Sequence, residues 1–256
     1  MVKAFFLPGL SLATQLKNLN RRPEMTNKHT TTWHRLADAA AVARNAADRI
    51  LAAASEAIDR QGVFRLVLAG GRTPQATYRL LRNADADWSR WQIYFGDERC
   101  LPPGHTDRNS SMAATAWLDH VRMRRQQIHV IPAELGPTEG ARLYDPVVAA
   151  ALPFDLVLLG LGEDGHTASL FPGHPQQREK LVIPVTGAPK PPAQRVSLSA
   201  KALNQSRQIL VLVTGKEKRP AVKNWQAGKT LPVNRISPRE NLTVLLDADA
   251  DIDTEH

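Results

Sequence analysis

The sequence predicts an α/β protein built on a mostly parallel, open sheet with helices on both faces. Three observations carry that prediction. Apolar runs of strand length alternate with stretches of helical composition along most of the chain. The runs at 64–69, 91–95 and 154–159 are almost continuously apolar, as strands covered on both faces are. Several of them end in glycine followed at once by charged residues, the pattern of an open parallel sheet that presents its C-terminal edge to a ligand.

Taken in order, residues 1–32 differ from the rest. They carry Lys3, Lys17, Arg21, Arg22 and Lys28 against one acidic residue, Glu24, and Pro8-Gly9 interrupts the apolar Phe5-Phe6-Leu7. A secretory signal needs a longer apolar centre. This stretch reads as a disordered extension, or as sequence upstream of a start at Met25. Residues 33–60 are Ala-rich without Gly or Pro and read as one long helix. A strand at 64–69 ends in Gly70-Gly71, and a helix over 74–82 has Pro74 in its first turn. A second strand at 91–95 ends at Gly96. Helix is predicted over 109–121, a short strand at 128–131, and a helix over 138–151 disturbed at Pro146. The strand at 154–159 follows. Strands at 195–199, 208–213 and 242–246 frame a helix over 216–226 that has Pro220 near its start. The Pro-rich stretch 184–192 reads as a loop, either a lid or a linker. Because the sheet pattern resumes after it, 33–250 is read as a single domain, followed by an acidic tail at 251–256.

Composition narrows the partners. Hydrophobic residues make up 43% of 256, enough for a sizeable core. The formal net charge of +8 favours anionic ligands, either nucleic acid or phosphorylated metabolites. Cys100 is the only cysteine, which precludes an internal disulfide and fits a reducing compartment. No apolar stretch approaches the roughly 20 residues that span a bilayer.

Four strand ends carry polar chemistry. Gly70-Gly71-Arg72-Thr73-Pro74 places backbone N–H groups and a helix N-terminus where a phosphate can bind, with Arg72 and Thr73 as further donors; it is equally readable as a plain tight turn. Gly96-Asp97-Glu98-Arg99 reads either as a surface ion-pair cluster or as a site in which Arg99 fixes an anion while Asp97 and Glu98 orient it or bind sugar hydroxyls. Cys100 beside it reads as packing. Gly160-Leu161-Gly162-Glu163-Asp164-Gly165-His166 leaves a core strand through two glycines and presents a carboxylate two residues before a histidine, a plausible acid/base pair. Two other readings are a histidine bonded to backbone and a metal site shared by Asp164, His166 and His174. Gly215-Lys216-Glu217-Lys218 is a basic helix start.

Together these residues resemble the 6-phosphogluconolactonase family over roughly 33–246. The most specific element is 160–172, with its Asp-Gly-His-Thr-Ala-Ser-Leu-Phe-Pro run. Asp97-Glu98-Arg99 and the Gly70-Gly71-x-Thr73-Pro74 loop match in the right order; Gly215-x-x-Lys218 and 195–199 match more loosely. The resemblance implies a Rossmann-like fold of the sugar-phosphate isomerase/deaminase type and hydrolysis of 6-phospho-D-glucono-1,5-lactone, with no metal or organic cofactor. It implies His166, Asp164 and Arg99 as catalytic groups. Substrate phosphate and sugar would fall to Gly70, Gly71, Arg72, Thr73, Asp97, Glu98, Arg195 and Lys218. The chain departs from the family pattern at Arg72 and Arg108, where serine is common. The expected partner is a phosphorylated sugar lactone, with no nucleic acid or membrane, for a cytoplasmic monomer or small homo-oligomer.

Two alternatives stand beside this reading. An amino-sugar-phosphate deaminase/isomerase shares the Asp-Gly-His loop, but Arg99 and the Thr167–Pro172 run argue against it. A sugar-phosphate sensor that binds nucleic acid would need a DNA-reading module, for which residues 1–32 are too short.

Overall fold

The computed structural model describes residues 31–175 and 179–253. The chain runs β1 (Thr31–Leu36), α1 (Ala39–Gln61), β2 (Phe64–Leu68), α2 (Arg72–Leu81), β3 (Trp91–Phe95), β4 (Asp97–Arg99), α3 (Asn109–Ala116), β5 (Ile128–His129) and α4 (Pro137–Ala151). It continues through β6 (Phe154–Gly160), β7 (Val182–Val185), β8 (Arg195–Leu198), α5 (Ala200–Asn204), β9 (Ser206–Val213), α6 (Arg219–Gln226) and β10 (Asn241–Asp247). Seven strands form one sheet in the order β1-β10-β9-β6-β2-β3-β5, with every adjacent pair parallel. A second, antiparallel sheet has the order β4-β8-β7. One contiguous apolar core contains residues of both sheets.

The large sheet is parallel because its strands can be buried on both faces. In β6 the first six of seven residues are buried, a pattern only a covered strand tolerates. The longest cover is α1, whose buried face is Val42, Ala46, Ile50, Ala54 and Ala57, at helical spacing. Its alanines let it pack closely across β10, β9, β6 and β2.

The reading of 33–60 as a single helix is corrected at its start. Asp38 is extended and its side chain accepts from Ala41 N–H at 2.7 Å, so it caps α1 and ends any helix upstream. The preceding Thr-Thr-Trp-His-Arg-Leu suits a strand edge, and β1 pairs in register with β10 from Thr31↔Leu242 to Leu36↔Asp247. Thr31 and Thr32 therefore belong to the sheet; residues 1–30 of the expected extension lie outside the described residues. The acidic tail is likewise shorter than expected. Asp251 is buried and accepts from Arg35 Nε at 2.8 Å, and residues 254–256 lie outside the described residues. The predicted loop at 184–192 begins in a strand, β7, whose Pro184 is tolerated because β7 is an edge strand. Predicted helix 109–121 ends at Ala116, and 216–226 is a 3-10 turn followed by α6.

The topology positions the site. From β2 the large sheet builds outward through β3 and β5; from β6 it builds the other way through β9 and β10. The C-terminal ends of β2 and β6 thus flank the point where the winding reverses, the place where open α/β sheets leave a crevice.

Candidate active site

A cavity of about 350 Å³ opens at that crevice, bounded by the ends of β2, β3 and β6. Glycine lets the backbone reach it. A Cβ on Gly70 would lie 2.1 Å from Asn109 Oδ1, and Gly71 has φ +110°, outside the range side chains readily adopt. Gly71 precedes α2, whose N-terminus has no side-chain cap and so keeps its first-turn N–H groups available.

Beyond β6 the chain folds into a tight turn. Gly162 N–H donates to His166 O at 2.8 Å and Gly165 N–H to Gly162 O at 2.9 Å. Asp164 Oδ1 accepts from both the backbone N–H and ring Nδ1 of His166, at 3.1 and 2.5 Å. Partial burial opposes ionisation of Asp164, but the backbone and ring hydrogen bonds and the imidazole charge outweigh it and hold the carboxyl below its ordinary value. Asp164 is therefore a carboxylate at neutral pH, and it accepts from Nδ1 of a ring that lines the cavity. The ring is mostly covered, with Phe171 4.7 Å away between centroids.

The predicted cations separate into two groups. Arg99, Arg195 and Lys218 line the cavity. Arg99 Nη1 donates to Asp107 O at 2.5 Å, while its Nε is buried without a hydrogen-bond partner among the described residues. Arg195 is buried; it donates to the carbonyls of Lys190, Pro191 and Pro192 at 2.9, 3.3 and 3.2 Å and lies over the Phe171 ring. Arg72 is different: its side chain is 97% exposed and points to Glu217, 4.0 Å away, and it does not line the cavity. Nor does Thr73, whose hydroxyl meets that of Thr214 at 2.6 Å and ties the loop after β2 to the loop after β9.

The acidic pair also divides. Asp97 lines the cavity and accepts from Ser169 Oγ at 2.5 Å and Asn109 Nδ2 at 3.1 Å. Burial pushes its carboxyl above the ordinary value despite the Ser169 hydrogen bond and the Arg195 charge. Glu98 is wholly buried and off the cavity wall. Its carboxylate accepts the N–H groups of Arg99, Asn109 and Ser110 and sits 3.5 Å from Arg108 Nε, so it caps α3 and anchors an arginine instead of touching sugar. Arg108 is itself buried and also bonds Glu134 at 2.8 Å and Ile131 O at 2.8 Å. Cys100 packs against the core, as read from sequence. Asp164, His166 and His174 do not form a metal-binding group among the described residues.

Two polar cavity residues escaped the sequence reading. Asn109 follows Arg108 inside an apparent helix start, and nothing in one sequence marks its contact with Asp97. Lys190 sits in the Pro-rich stretch; its signal was a lone cation in a proline run.

Residues 37–245 match the family model described as glucosamine-6-phosphate isomerases/6-phosphogluconolactonase. A 6-phosphogluconolactonase of Nostoc sp. is 34% identical over 230 residues, covering 84% of this chain and 95% of that protein. One from Streptomyces coelicolor is 37% identical over 201 residues, covering 71% and 77%. The solved 6-phosphogluconolactonase of Trypanosoma brucei superposes with a TM-score of 0.80 at 27% identity, covering 88% of this chain and 99% of that one.

Proposed function

The chain belongs to the glucosamine-6-phosphate isomerase/6-phosphogluconolactonase family, and we propose that it hydrolyses 6-phospho-D-glucono-1,5-lactone to 6-phospho-D-gluconate, the second step of the oxidative pentose phosphate pathway. The observation that carries the mechanism is the Asp164–His166 pair at the cavity, with Nδ1 engaged by the carboxylate. His166 Nε2 takes a proton from water as the water oxygen attacks the lactone carbonyl. Asp164 holds the ring in the required tautomer and faces the imidazolium that forms. Negative charge collects on the carbonyl oxygen, and Arg99, a cation on the cavity wall, stabilises it. His166 then returns the proton to the departing ring oxygen, the C–O bond breaks, and the new carboxylic acid ionises.

The phosphate lies far from the reacting carbon and orients the substrate. Gly70 and Gly71 with the uncapped start of α2 supply backbone donors for it, and Lys218 supplies charge. Arg195 shapes the wall through three backbone carbonyls. Arg72 and Thr73, at the start of α2, contact Glu217 and Thr214 in the segment after β9 instead. The protein works as one domain from Thr31 to Asp251, without nucleic acid or membrane, as a cytoplasmic monomer or small homo-oligomer. No helix among the described residues is long and apolar enough to cross a membrane.

Proton release on adding freshly made lactone tests the reading, with spontaneous ring opening subtracted. Acceleration by the wild type that disappears in a folded His166→Ala variant supports both reaction and base. No wild-type acceleration overturns the reaction, and ammonia release from glucosamine 6-phosphate becomes the next assay.

A further inference from the structure

At the rim of the cavity one carboxylate oxygen serves two lysines. Glu163 Oε1 lies 3.2 Å from Lys190 Nζ and 3.9 Å from Lys218 Nζ. The lysines come from distant segments, one from the loop between β7 and β8, the other from the turn before α6. Both line the cavity and Glu163 does not. The Lys190 hydrogen bond, then the charges of Lys190 and Lys218, hold the Glu163 carboxyl below its ordinary value.

The backbone under each lysine is fixed. The carbonyls of Lys190, Pro191 and Pro192 are held by buried Arg195. Lys218 N–H donates to Gly215 O, and Gly215 N–H is in turn bound by Asp247. The two segments are thus held so that both lysines can reach one anion at the rim. Glu163 and Lys190 are about half exposed, and exposed pairs of this kind hold weakly. A carboxylate carries one negative charge; a phosphate monoester carries nearly two and has three acceptor oxygens. Two ammonium groups favour the second over the first.

We propose that Glu163 is an internal counter-anion that occupies the Lys190–Lys218 pair in the free protein and gives way to the substrate phosphate, which makes Lys190 a phosphate-binding residue. That the displacing group is the phosphate of a sugar lactone rests on the lactonase reading; the two-lysine anion site does not. Glu163 then works as a filter. A weak monoanion has to compete with a tethered carboxylate, whereas a phosphate dianion displaces it.

Inorganic phosphate titrated calorimetrically into the full chain at pH 8 tests this without turnover. Glu163→Gln should lower the phosphate Kd about three- to tenfold, and Lys190→Gln should raise it by a similar factor. In the Lys190→Gln background, Glu163→Gln should change Kd less than about twofold. Glu217→Gln removes the same charge from a neighbouring loop, where the carboxylate pairs with Arg72, and should also change Kd less than about twofold. An unchanged Kd in Glu163→Gln, an equal gain in Glu217→Gln, a gain that survives Lys190→Gln, or no detectable phosphate binding by Glu163→Gln would each overturn the proposal. The predicted pattern in a protein that does not accelerate lactone opening would leave the anion site standing and remove the lactonase reading.

Discussion

A Cβ on Gly162 would lie 1.9 Å from Nδ1 of His166. The imidazole rests directly on the glycine, in the space a side chain would fill. Gly162→Ala should therefore push the ring off Asp164. Activity should fall at least about tenfold, with a stability loss of about 1–3 kcal/mol from overpacking. Lactone-opening rates beside a urea melt check this; full activity in the alanine variant would place the base elsewhere.

His166→Ala should lower kcat by about 10²–10⁴-fold. Asp164→Asn should lower it on the order of 10²-fold with little change in KM, because an amide no longer fixes the tautomer. The pH dependence has a definite sign. The folded-state pKa of Asp164 lies below its unfolded value, so its contribution is fully present above about pH 4 and is lost as pH falls through the folded value. Activity that declines with Asp164 protonation well above pH 5 would contradict this.

Arg108→Ser, a change to the residue that the family resemblance leads one to expect, should destabilise. It leaves Glu98 buried without its cation and frees Glu134. A cost of about 3–5 kcal/mol is expected from breaking a buried pair, read from urea unfolding. A neutral result would mean that water or a shift of α3 replaces the guanidinium.

Arg72→Ala should change KM less than about twofold, because the side chain is solvent-exposed and off the cavity wall. A tenfold rise would show that the loop after β2 folds inward on substrate.

Cys100 is predicted to be inert. Burial pushes its thiol up to about 11, so well under about 1% is thiolate at pH 7.5. Iodoacetamide should not inactivate the protein, and Cys100→Ser should keep wild-type kcat.

Most of the sheet could be read directly because buried parallel strands announce themselves as apolar runs: 91–95 was bounded to the residue and 154–159 to within one. β1 was missed because this edge strand has no fully buried residue and only Trp33 and Leu36 as apolar residues, and the alanines that follow suggest helix. Of the small sheet only β8 was read as a strand, because β4 is three charged residues and β7 contains proline. The glycine-rich turn carrying His166 was legible for a different reason: glycine supplies backbone conformations that other residues avoid, and here it directly flanks Asp164 and His166 at a strand end. Burial of charge was not legible. Glu98 and Arg108 look like surface residues until α3 folds over them, whereas Arg72 looks like a ligand residue and faces water.

β1 and β10 lie side by side and run in the same direction, which gives the molecule a front and a back for anyone attaching something to it. The described chain enters β1 at Thr31, at the edge opposite the cavity, and leaves β10 at Asp247, on the cavity edge, where that residue also holds the Gly215 loop. A dye, tether or bead coupled at exposed Thr32 would sit behind the molecule. The same group coupled at exposed Asp249 would stand beside the doorway, next to the loop that carries Lys218.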